Sequence, residues 1–168
     1  MIEKDPVMNS IPESNNVMCA VDVNDVKQDL IDIAAEFARA FETDLDIVHV
    51  TLYPEPANTF YPGYLGVPDS VVDERENLKQ IKPSNAKVKV VHHQLLGIPE
   101  RQLLKFIESH QPRMVVIGSR GRRGLSRVIL GSVAEQVMRK AHCPVLVYRH
   151  RANEPAMTQS ESHDRKLV

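Results

Sequence analysis

Between residues 16 and 149, short runs rich in valine and isoleucine alternate with stretches whose apolar residues recur every three or four positions. The runs have the length and β-branched content of strands, and the stretches have the period of helices that bury one face. Such alternation predicts βαβ units around a parallel sheet. Val17 to Asp22 reads as the first strand, continuously apolar as a strand buried on both faces must be, and it ends in an acid. Leu30, Ile33, Ala34, Phe37, Ala38 and Phe41 then form a helical stripe facing the sheet, with Asp25 and Gln28 placed as a capping box at its start. Leu45 to Thr51 is the second strand, Asp69 to Gln80 a short polar helix, and Lys87 to Leu96 the third strand. Gly97-Ile98-Pro99 turns the chain into a helix with Leu103, Phe106 and Ile107 on its apolar face. Met114 to Ile117 is the fourth strand. A helix from Ser132 follows, with Val133, Ala134, Val137, Met138 and Ala141 on one face, and Val145 to Tyr148 is the fifth strand. Five strands and about four helices, joined by right-handed crossovers, predict an open, doubly wound α/β sheet that binds ligands beyond the carboxyl ends of its strands.

Three stretches escape the pattern. Residues 1–15 and 150–168 are polar and aperiodic and read as flexible tails around one domain, 16–149. Between the second strand and the polar helix, a proline-dense insertion carries Tyr53, Phe60, Tyr61 and Tyr64. A lid, a partner surface and a packed loop all fit it, the packed loop best. The whole chain has 168 residues, 42% of them hydrophobic, and a formal net charge of -1. That is enough apolar residue for one core, and the balance of charge gives no field to draw the protein to nucleic acid or an anionic membrane. No apolar run approaches the roughly 18 residues a membrane span needs, and the start lacks a secretory pattern. With two cysteines read as reduced thiols, the expected location is the cytoplasm.

Candidate chemistry concentrates in residues 117–133, IGSRGRRGLSRVILGSV, between a buried strand and an amphipathic helix. Gly118 and Gly121 let backbone N–H groups approach an anion closely. Gly131-Ser132 opens a helix whose first N–H groups and dipole favour phosphate. Arg120, Arg122, Arg123 and Arg127 add cations with no acid in the loop to neutralise them. The plainer reading is that the glycines turn the chain, the arginines are solvated, and Ser132 with Glu135 caps the helix. The loop's exit from the carboxyl end of a strand favours a polyphosphate guest. The chain lacks both G-x-x-x-x-G-K-[ST] and G-x-G-x-x-G, which argues against a P-loop kinase and a dinucleotide dehydrogenase. No lysine stands in the loop and no second acid adjoins Asp22, so binding is better supported than phosphoryl transfer.

Gly118, two residues, Gly121, nine residues and Gly131-Ser132 resemble the G-2x-G-9x-G-[ST] motif of ATP-binding universal stress proteins. The likeness extends to Asp22, His49-Val50, Gly97-Ile98-Pro99 and Cys143-Pro144-Val145-Leu146-Val147, across residues 16 to 149. It implies a Rossmann-like sheet, akin to the adenine nucleotide alpha hydrolases, in strand order 3-2-1-4-5. It also implies ATP as ligand, with or without Mg2+. Asp22 and the backbone near Ala20 and Val50 would hold the adenine. Ile117, Gly118, Ser119, Arg120, Gly121, Arg122 and Arg123, with Gly131, Ser132 and Val133, would wrap ribose and phosphates, Ser132 donating its hydroxyl. Members of this type are homodimers pairing through the last strand, here Val145, Leu146, Val147 and Tyr148, and a regulatory protein is a further implied partner. In that strand order Cys19 and Cys143 lie roughly 10 Å apart, too far for a disulfide. After Asp22 the family often has glycine or phenylalanine and then serine, where this chain has Val23-Asn24-Asp25.

The expected function is thus a nucleotide-dependent stress or signalling dimer with slow or no hydrolysis. A weak ATPase or self-phosphorylating enzyme, with Ser132 or Ser119 as acceptor, and a nucleotide-free interaction module are the alternatives. The seven histidines suggest no metal, since neighbours such as His92 and His93 on a strand point to opposite faces. His49 reads as a sheet-end histidine with a hydrogen-bond partner.

Overall fold

A computed structural model of the chain describes residues 15–53, 69–85, 87–119 and 130–149. Strands β1 (Val17–Val21), β2 (Leu45–Thr51), β3 (Val90–Leu96), β4 (Met114–Gly118) and β5 (Val145–Tyr148) alternate with helices α1 (Gln28–Ala40), α2 (Asp69–Gln80), α3 (Pro99–His110) and α4 (Ser132–Lys140). All four pairings are parallel, in the order β3-β2-β1-β4-β5. Inner strands β1 and β4 carry near-continuous apolar runs because helices cover both faces, while β2 also buries the polar Asp46, His49 and Thr51. β1 shows this directly: Val17 and Cys19 join one core with Leu30, Ile31 and Ala34 of α1 and Leu78 of α2. Met18 and Ala20 join the other, with Leu103 and Phe106 of α3 and Ala134 and Val137 of α4. The chain thus forms a doubly wound sheet, and its point of reversed strand order lies between β1 and β4.

Several local expectations change. Asp25 does not cap α1; Lys27 stands at that N-cap without a side-chain bond, and Asp25 pairs with the Lys27 ammonium at 2.6 Å. The buried face of α1 is Leu30, Ile31, Ala34, Ala35 and Ala38, turned from the expected stripe so that Ile33 is only half-buried. Phe37 and Phe41 pack at the edge of the same core, partly buried. Met138 is exposed on α4, whose buried residues are Ala134 and Val137. At Ser132 the helix opens behind Gly131, with no side-chain cap. Strand ends move slightly: β1 stops one residue before Asp22, β3 begins at Val90 and β4 includes Gly118. Both cysteines are free thiols.

Candidate functional site

At the carboxyl ends of β1, β2 and β4 lies a cleft of about 510 Å³. Its floor is made by the sheet: Ala20 on β1, Val48 and Val50 on β2, and Ile117 on β4, with Leu103 of α3 and Ala134 of α4 beside them. These side chains sit there because alternate positions of each strand face the α3 and α4 layer, and the last ones have no further sheet above them. The result is a shallow apolar slot open to solvent.

Two rims of different polarity border the slot. On one side stand Gly118, Gly131, Ser132 and Val133. Gly131 N–H donates to Ser119 O at 2.7 Å, and Ser119 N–H donates to Tyr148 O at 2.7 Å, which fixes the start of α4 against the end of β4. Gly131 is the N-cap in extended conformation, with φ -64 and ψ 148, and gives the helix no side-chain cap. The first-turn N–H groups of α4 therefore remain an anion-favouring end beside the slot. On the other side stand Asp22, Asn24, Asp25 and Lys27 of the β1–α1 turn, and Ser70 and Glu74 of α2. Asp22 shapes that turn: its Oδ1 accepts from Asn24 N–H at 2.9 Å and its carbonyl from Asp25 N–H at 2.9 Å.

Glu74 is the hub of the second rim. Asn24 Nδ2 donates to its Oε1 at 2.9 Å, and His49 Nε2 lies 3.0 Å from its Oε2. Desolvation raises the Glu74 carboxyl, but hydrogen bonds from His49, Thr51 and Asn24 outweigh this and hold it below the usual carboxylate range.

Of the residues expected from sequence, Ala20, Asp22, Val50, Ile117, Gly118, Gly131, Ser132 and Val133 line this one cleft. Ser119 lies behind it as a backbone anchor. Arg120, Gly121, Arg122, Arg123 and Arg127 lie outside the described residues, as do Phe60, Tyr61, Tyr64 and both tails. Asn24, Lys27, Ser70, Glu74 and Leu103 also line it and were not expected as site residues: Leu103 was read only as part of a helix's apolar face and Asn24 only as a departure from the family pattern, and nothing in the local spacing of Lys27, Ser70 and Glu74 marks them. His49 has the hydrogen-bond partners expected of a sheet-end histidine. Among the described residues no cluster of three or more His, Cys, Asp or Glu could hold a metal, and no helix is long and apolar enough to cross a membrane.

The family model described as "Universal stress protein family" matches residues 13–149. A universal stress protein of Methanocaldococcus jannaschii is 28% identical over 152 residues, covering 85% of this chain and 89% of its own. Universal stress protein A homolog 1 of Coxiella burnetii is 31% identical over 143 residues, covering 78% and 93%. Among solved structures, the universal stress protein of Archaeoglobus fulgidus in complex with dAMP superposes with a TM-score of 0.55 at 22% identity, covering 79% of this chain and 95% of that one. A universal stress protein in complex with cAMP gives 0.50 at 20% identity, covering 79% of this chain and 94% of that one. With the family model spanning nearly all of the sheet and its helices, the chain belongs to the universal stress protein family.

Proposed function

We propose that the protein binds an adenine nucleotide, ATP, in the cleft between β1, β4 and the start of α4, and acts as a nucleotide-dependent cytoplasmic signalling dimer. The observation that carries this reading is the pairing of an apolar slot with the N-terminus of α4, where the N-cap Gly131 has no side chain to cap the helix and Ser132 follows, at one end of it. A flat base suits the slot made by Ala20, Val50 and Ile117, and phosphates suit the helix end. Asp22 and Asn24 stand where the base and ribose present polar edges. Support for adenine comes from the relatives solved with dAMP and cAMP. Support for a triphosphate comes from the arginines and glycines of the intervening sequence. Mg2+ would accompany the phosphates as part of the ligand. Dimerisation rests on β5, an edge strand with four half-buried apolar residues; sedimentation at twice 19.0 kDa supports it, and at one chain mass overturns it.

The binding test uses titration calorimetry with ATP, AMP and cAMP on the wild type and Gly131→Asp. Aspartate is a favourable N-cap and suits the φ and ψ of Gly131, so the fold should persist while its charge repels phosphate. Expected is a loss of ATP affinity of about tenfold or more, equivalent to at least ~1.4 kcal/mol, with a smaller loss for AMP. No heat with any nucleotide, or equal ATP affinity in both proteins, overturns the reading.

A further inference from the structure

One side chain on the second rim of the cleft is held at both ends. Asn24 N–H donates to Asp22 Oδ1 at 2.9 Å, and Asn24 Nδ2 donates to Glu74 Oε1 at 2.9 Å. The first bond fixes its backbone within the β1–α1 turn, and the second fixes which end of its carboxamide faces α2. Glu74 accepts only the nitrogen end. Against desolvation, hydrogen bonds from His49, Thr51 and Asn24 keep its carboxyl below the usual range, ionised at neutral pH, and a carboxylate accepts without donating. Turning the amide over would set Asn24 Oδ1 against Glu74 Oε1, two acceptors in contact. Glu74 is itself anchored: its Oε2 lies 3.0 Å from His49 Nε2, and Gln94 Nε2 pins α2 through Val71 O at 2.8 Å. Asn24 is exposed and lines the cleft. Among the described residues, its second amide N–H and its Oδ1 have no hydrogen-bond partner. The rim thus offers a ligand one donor and one acceptor from a single planar group of set orientation.

We propose that Asn24 is the specificity-determining residue for the base and that Glu74 is a positioning residue acting through it, so that the cleft takes an aminopurine and rejects an oxopurine. This rests on the nucleotide reading above and deepens it. The direction of the ligand follows from charge. Phosphates suit the rim at the start of α4, whereas the other rim carries Asp22, Asp25 and Glu74 against one cation among the described residues, Lys27, which Asp25 already engages at 2.6 Å. The base, on the far side of the ribose, therefore meets Asn24. Adenine places its N6 amino donor beside a ring-nitrogen acceptor, the pattern that a carboxamide pairs with through its C=O and N–H together. Hypoxanthine and guanine place a carbonyl oxygen where adenine has the amino group. A freely turning amide would invert and donate to that oxygen. Held by Glu74, it stays as it is, and Oδ1 meets the carbonyl acceptor to acceptor. The selectivity is a property of a pair, one member on the β1–α1 turn and the other on α2, 50 positions apart.

Titration calorimetry on the full chain with AMP and IMP tests this, since the two share ribose and phosphate and differ only on the reading edge of the purine. Wild type should bind AMP about tenfold or more tightly than IMP. Asn24→Ala should drop AMP affinity to the level of IMP. Glu74→Gln supplies a donor for Oδ1 and so permits the inverted amide; IMP should gain on AMP, and the ratio should fall severalfold. Equal affinities in the wild type overturn the proposal. In Asn24→Ala, a wild-type ratio or an equal loss of both nucleotides overturns the role of Asn24. If Glu74→Gln acts on the two nucleotides alike, loss of both included, Glu74 supports the fold only and its positioning role is overturned. A wild type that binds neither AMP nor IMP overturns the nucleotide reading itself, whereas one that binds both equally overturns the selectivity alone.

Discussion

Cys19 lies fully within the sheet, and burial pushes its thiol up to about 12. The thiolate is the nucleophile, so this cysteine is inert in the folded chain. An alkylating reagent at neutral pH should label only half-exposed Cys143 in the native protein, and both cysteines after denaturation; mass spectrometry reads the difference. Asp32 shows the opposite balance at the surface. Desolvation raises its carboxyl, but hydrogen bonds from the Ser84 backbone, Gln28 and the Ser84 hydroxyl together outweigh it and hold the group below its usual range. A carboxyl whose folded value is depressed adds stability that is complete above its unfolded value and is lost as pH falls through the folded one. Asp32→Ala should therefore cost about 1 kcal/mol in urea unfolding at neutral pH, discounted for exposure, and nothing once acid protonates the wild-type group. Asp22, Gly118, Gly131 and Ser132 were legible in the sequence because a strand end, a tight turn and a helix start restrict residue type. Glu74 was not, because it is one acid in a polar helix. Its role appears only when the fold brings it to Asn24 and His49, 50 and 25 positions away.

At the scale of elements, the turn from β3 into α3 depends on Gly97, whose φ is +131, a conformation that favours glycine. A Cβ there would also meet the Gln102 side chain at 2.7 Å, although that chain can swing away. Gly97→Ala should lower stability by about 1–3 kcal/mol, chiefly through backbone strain. α2 was predicted over its full span, Asp69–Gln80, yet its sparse apolar face gives no hint of how it docks. With only Val71 and Leu78 buried, Leu78→Ala should cost about 2–4 kcal/mol and reduce exchange protection mainly in α2. For α1 the periodicity identified the helix but rotated its buried face: Ile31 and Ala35 are buried, while Ile33 and Phe37, expected there, are only half-buried. A helical stripe is a hundred degrees wide or more, so spacing alone does not fix which edge of it meets the sheet.

For the molecule as a whole, a ligand that binds the folded state alone raises its stability by mass action. ATP at a hundredfold excess over its dissociation constant should add about 2.7 kcal/mol. For a chain of this size the melting temperature should rise on the order of 5–10 °C; no rise with ATP, alongside silent calorimetry, would remove the nucleotide from the account. The sequence by itself determined the alternation of strands and helices, since β-branched runs and helical periods are local consequences of backbone geometry and of burial on one or both faces. Through its spaced glycines it also located one rim of the cleft. The tertiary structure decided the other rim. The environments of His49, Thr51 and Glu74 follow from the parallel stacking of β1, β2 and β3 beneath α2, and a hydrogen-bond network drawn from such distant positions leaves no period or motif along the chain.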